Sequence, residues 1–205
     1  QDTDDNLTDF ETFYPTPGLE NSDLVVNEVY FDQPSVDAKT QTFIEIAAPI
    51  TGWEDYSLAG YEVAAINGFN GKAYLPKNGS AISLFSARLN GGNTGDGYFV
   101  ICNDKAKQPP NGPPCDTRYT GGDLQNGPDN VVLNYLAQPV DAVGYGSFSS
   151  STHFVGEGMA ASFSYSDAGK SLNRWPRPSF LYDLDDNASD FHKAQPTPGQ
   201  TNKQP

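Results

Sequence analysis

The sequence predicts an all-β sandwich with long loops and extended terminal arms, and three observations carry that expectation. Short runs rich in β-branched and aromatic residues alternate with turn residues along most of the chain. No window sustains an i, i+3, i+4, i+7 apolar pattern, and 20 Gly and 16 Pro punctuate the 205 residues throughout. Sheets that are apolar on one face must pair those faces to remove them from water, which points to two packed layers.

The elements follow in order. Residues 24–31 and 42–48 are bounded by turn residues and dense in Val, Ile, Phe and Tyr. Residues 56–65 follow Trp53, and residues 80–85, 98–102, 131–136 and 140–145 bring the set to at least seven strands. Residues 163–165 and 171–174 are shorter candidates. Gln125-Asn126-Gly127-Pro128-Asp129-Asn130 is a turn leading into the strand at Val131. The Gly/Ser-rich stretch 144–169 reads as a long surface excursion, either a recognition loop or a plain variable one.

Composition narrows the function classes. A formal net charge of −14, with Lys and Arg scattered, argues against nucleic acid, which is held by cationic contacts to phosphate. It argues equally against an anionic membrane surface. No apolar run approaches the roughly 18 residues of a membrane span, so no insertion is expected. The polar start Gln1-Asp2-Thr3-Asp4 is no signal peptide, and the missing initiator Met suggests a chain that begins after processing. Cys102 and Cys115 enclose a Pro-rich loop without further Cys or His nearby, which favours a disulfide over a metal pair. Such a bridge contributes about 3 kcal/mol by loop closure and points outside the cytosol.

One segment occurs twice. Residues 2–21 align with residues 183–202 without a gap, at an offset of 181, and eleven of the twenty positions are identical. Both copies carry an Asp-rich start, a Phe and a Pro-Thr-Pro-Gly turn, so an internal repeat is the natural reading. Residues 1–22 then form an arm that repeats the closing segment of a preceding module. Residues 23–202 form one sandwich domain, and 203–205 a short tail.

Several motifs together resemble lamin-tail-type domains. Val26-Asn27-Glu28-Val29, Phe43-Ile44-Glu45-Ile46 and Tyr56-Ser57-Leu58-Ala59-Gly60-Tyr61 look like the opening of such a domain. Tyr98-Phe99-Val100-Ile101, Leu124 to Asp129, Val140-Asp141-Ala142-Val143-Gly144-Tyr145, Gly169 to Arg174 and the Asp-rich, Thr-Pro-Gly ending continue the match in order. The resemblance implies an immunoglobulin-like sandwich of the kind found in secreted microbial proteins, in tandem or beside extracellular nucleases and phosphatases. The chain has no heptad-bearing rod and no basic patch, so neither a filament rod nor chromatin binding is carried over.

Candidate sites follow from residue types. Asp183, Asp185, Asn187 and Asp190 place oxygen ligands at local spacing, and Asp2, Asp4, Asn6 and Asp9 repeat them, a pattern suited to Ca²⁺. The pattern departs from an EF-hand at Ala188 and Ala194, and an Asx-rich turn capping local N–H groups is the competing reading. Asn6, Asn78 and Asn187 head glycosylation triplets, and a glycan would compete with metal ligation at Asn6 and Asn187. Glu28 and Glu45 lie within strands and are expected to face outward, with an acid/base pair as the alternative. His153 and His192 lack the company a zinc site needs, and Ser147 to Ser151 lacks an identifiable base. Trp53 and Trp175 are expected to pack at the core or its edge.

The sequence therefore predicts no enzyme. It predicts an extracellular or cell-surface structural or adhesive module, one unit of a tandem or self-assembling array. Its partners are other copies, met head to tail through Phe10, Phe13, Tyr14, Pro15, Pro17 and Gly18. An accessory domain that places a secreted hydrolase on a surface or polysaccharide is the alternative.

Overall fold

The computed structural model describes residues 24–34, 41–48, 56–76, 79–89, 97–107, 109, 111–149, 152–175 and 183–203. Two sheets pack face to face, as an all-β sandwich requires. One sheet contains β1 (Val25–Tyr30), β2 (Phe43–Ala47), β6 (Tyr98–Asn103), β7 (Thr117–Tyr119), β10 (Ser171–Arg174) and β11 (Phe191–Ala194), in the order β11-β10-β1-β2-β6-β7. The other runs β4 (Ala73–Leu75), β3 (Tyr61–Asn67), β8 (Asp129–Tyr135), β9 (Gln138–Tyr145), with β5 (Ile82–Ser83) also paired to β3. Among the described residues, every pairing between these strands is antiparallel except β6 with β7. Among the described residues, no helix is long and apolar enough to cross a membrane.

Val26, Val29, Ile44, Ile46, Phe99 and Ile101 face the other sheet and meet Val63, Val131, Leu133 and Val143 there. The outer face of the six-stranded sheet is covered as well. Cys102 and Cys115 are bonded, and with Tyr30, Phe43 and Val100 they form a second apolar cluster on that side. β1, β2 and β10 are thus buried at every position. A register shift between Val26 and Glu28 marks a bulge at Asn27, and Asn27 and Glu28 both contact the segment that covers the outer face.

Several expectations change. Residues 56–60 precede β3 and contribute only an isolated bridge at Ser57, and residues 163–165 run into a short 3-10 turn, Tyr165–Asp167. The strands β4, β7 and β11 lacked a legible apolar alternation because each is only three or four residues long. The stretch after Gly144 is not a free excursion. Its Ala161 pairs with Tyr145 along the edge strand β9, and Phe163 packs on Phe31 at 4.3 Å. β8 and β9 join through Leu136 and Ala137, both left-handed (φ 49° and 64°), where a sequence reader looks for Asn-Gly.

Candidate functional site

Two groups of buried polar residues lie under the closing segment, residues 183–203, which runs as an Asp-rich turn, the one-turn helix α1 (Asn187–Asp190), edge strand β11 and a final latch. Each part has its own seat on the body.

The first seat is built on Arg174, whose side chain is wholly buried at the end of β10. Its Nη2 donates to both oxygens of Asp141 on β9 (2.9 and 3.0 Å), and its Nη1 reaches Asp183 at 3.0 Å and Asp190 at 3.8 Å. Nε donates to the Val26 carbonyl at 3.0 Å, and the guanidinium lies 4.7 Å from the Phe191 ring centroid. Asp141 also accepts the Val26 N–H, so one carboxylate joins the two sheets. Burial pushes Asp141 and Asp190 up to about 6 even though the guanidinium opposes it. Burial, reinforced by Asp141, raises Glu157 to about 10. Burial alone would lower Arg174, but Asp141, Asp183, Glu157 and Asp190 together outweigh it and raise it.

The Asp-rich turn is therefore largely committed to the protein itself. Asn187 is buried; its Oδ1 accepts the N–H groups of Gly144 (2.8 Å) and Glu157 (3.0 Å), while Nδ2 donates to the Ala142 carbonyl at 2.8 Å. Asp190 accepts the N–H groups of Leu184 and Asp186. Asp186 accepts the Met159 N–H, and Asp183 that of Asp185, which is itself left-handed (φ 54°). Of the four expected calcium ligands here, Asp183 is the one that joins a cluster of three carboxyl groups: its oxygen and those of Asp141 and Glu157 lie within 4.8 Å of one another. Nδ2 of Asn187, the atom to which a glycan would attach, is buried and donates to the Ala142 carbonyl. Asp2, Asp4, Asn6, Asp9, Phe10, Phe13, Tyr14, Pro15, Pro17, Gly18, Trp53 and Asn78 lie outside the described residues.

The second seat holds Glu28 and Glu45, which pair across β1 and β2 and are both buried, contrary to the expected outward orientation. The latch supplies their hydrogen-bond donors. The Thr197 N–H lies 3.0 and 3.1 Å from the two oxygens of Glu28, and its hydroxyl lies 3.2 Å from Oε2. The Gly199 N–H points to Glu45 at 2.5 Å, from a residue at φ 73° that few side chains tolerate. Asn202 donates to Asn27 Oδ1 (3.0 Å) and to the Arg174 carbonyl (2.8 Å), and Asn27 donates to Glu45 at 2.6 Å. Ser171 donates to Glu28 as well. Burial nevertheless pushes Glu28 up to about 7, and burial with the neighbouring Glu28 charge raises Glu45 well above its ordinary range.

His192 packs against Trp175, tilted by 30° with ring centroids 4.0 Å apart, and meets the Lys203 carbonyl, so it belongs to the closing segment's packing. Beside the latch, a cleft of about 210 Å³ opens between Tyr30, Phe43, Pro113, Pro196 and Pro198. Arg174, Asp141 and Glu157 carry roles that the sequence reading did not assign. The available signal was a charge at an otherwise apolar strand position, as in Val140-Asp141-Ala142-Val143. What the arrangement does chemically is hold one segment: donors and charges meet across the contact and are sealed from water. Neither a protein-family model nor a curated protein matches the chain.

Proposed function

We propose that this protein is a non-catalytic extracellular structural or adhesive module, one unit of an array whose units join head to tail through their terminal segments. The observation that carries it is the docking of residues 183–203: they supply edge strand β11 and the donors for Glu28 and Glu45, so the segment is an integral part of a module. A second copy of that segment stands ahead of β1, and each body holds one such segment at a time. The spare copy belongs with another body, and a contact that repeats from unit to unit without closing builds a linear array. We take the module to be of lamin-tail type on its sequence motifs. The Cys102–Cys115 bond fits an oxidising compartment and supports an extracellular location.

The carboxylates open to a catalytic interpretation have structural work instead, since Glu28 and Glu45 are sealed beneath the latch. Calcium enters the proposal as a weak local stabiliser, held by Asp183 with Asp141 and Glu157. Three carboxyl groups beside the Arg174 guanidinium, of which Glu157 must give up its proton to bind, fall short of the six to eight oxygens of a tight site. The test is sedimentation of the full chain against one beginning at residue 22. Association that rises with concentration and disappears with the arm supports the array; association unchanged by the deletion overturns it.

A further inference from the structure

The two copies differ in a way that follows the structure. Among the eleven positions identical between residues 2–21 and 183–202, none is exposed in the docked copy; Asn187, Asp190, Phe191, Thr197, Gly199 and Asn202 are buried and the other five partly covered. Among the nine that differ, Leu184, Ala188, Ser189, Gln195, Gln200 and Thr201 are exposed. The arm therefore keeps the groups that touch a body and varies mainly those that face solvent. An arm serving only as a linker has no need of the Asn that holds two N–H groups and a carbonyl, or of the Gly that reaches Glu45 from a left-handed conformation.

We propose that residues 2–21 are a second ligand for the seat that residues 183–202 fill, and that a second copy of this chain accepts them there by strand exchange. The inference rests on the array reading and names its joint. In the joint, Asp2 and Asp9 take the places of Asp183 and Asp190 beside the partner's Arg174, and Asn6 takes that of Asn187. Thr16 and Gly18 present their N–H groups to the partner's Glu28 and Glu45.

Exchange of like for like is close to neutral in contacts, and the resident segment has the advantage of being tethered. The positions that differ supply the preference. The arm has Phe13-Tyr14-Pro15 where the closing segment has Ala194-Gln195-Pro196. Those two aromatic residues arrive next to the proline that lines the cleft shared with Tyr30, Phe43 and Pro113. Because the resident segment must first leave an edge strand and two buried seats, exchange is slow compared with simple docking.

The test uses the full chain with substitutions confined to the arm, which leave the resident segment and its seat intact. Asn6→Ala and Gly18→Val should each weaken self-association at least tenfold in sedimentation equilibrium while thermal unfolding of the body stays unchanged. In a mixture of ordinary and ¹⁵N-labelled chains, a photoreactive side chain at position 11, the counterpart of His192, should crosslink to residues 171–174 of the differently labelled chain. If deleting residues 1–21 abolishes association but both point variants associate normally, the array stands and strand exchange is overturned. Crosslinks that map outside β10, or only within one chain, overturn it too. If the deletion itself changes nothing, the array reading falls, and exchange with it.

Discussion

Replacing Arg174 with Met keeps a long apolar stem and removes the guanidinium on which both sheets and the closing segment converge. Asp141 and Asp190, whose side chains are at most 1 % exposed, then lose their counter-charge, while Asp183 at 18 % keeps some access to water. Breaking a buried ion pair from one side costs about 3–5 kcal/mol, because the remaining charge is left uncompensated. Asp141 keeps the Val26 N–H and Asp190 keeps those of Leu184 and Asp186, so we expect about 4 kcal/mol at pH 8.

The penalty should depend on pH. Asp141 and Asp190 already sit at about 6 with the arginine present, and its removal raises both further. At pH 5 they protonate within the fold and shed the buried charge. What remains is the lost Nε hydrogen bond to the Val26 carbonyl and looser packing, about 1–2 kcal/mol. Urea unfolding at pH 5 and pH 8 reads the difference, with Trp175 next to the substitution as a fluorescent reporter. A loss below about 1 kcal/mol at pH 8, or one equal at both pH values, would refute the assignment of Arg174 as the electrostatic centre of the fold.

Three further outcomes follow. Burial raises Glu28 from 4.5 to about 7 and Glu45 well above its ordinary range, so the stability they contribute is complete below about 4.5 and is lost as pH rises, for Glu28 through about 7. Glu45→Gln should flatten the decline in urea stability between pH 5 and 8, and an unchanged slope would remove the pair as its source. Leu136→Asn combined with Ala137→Gly should raise stability by about 1 kcal/mol, since both residues occupy left-handed conformations in a two-residue hairpin turn; a loss in urea unfolding would contradict that strain. Millimolar Ca²⁺ added after chelation should raise the unfolding temperature by about 2–4 °C, and Glu157→Gln should abolish the rise. No rise in the unsubstituted protein takes calcium out of the proposal.

The sequence alone pointed to the all-β class, the Cys102–Cys115 pairing and a closing segment present in two copies. These are local or purely comparative signals: strand runs and turns, a short Cys spacing, and identity at a constant offset. It did not reveal which polar residues are interior. Alternation distinguishes inside from outside only when one face of a strand meets water, and β1, β2 and β10 are covered on both faces. Glu28 and Glu45 sit at positions that read as outward and are sealed by residues about 150 or more positions away. The Asp-rich turn was ambiguous for a related reason. Alternating Asp and Asn suits a calcium loop and an Asx-rich turn equally well, and only long-range packing decides what the oxygens meet. Here the tertiary structure brings Arg174 from β10 to Asp183 and Asp190, and turns Asn187 onto the backbone of Gly144, Glu157 and Ala142.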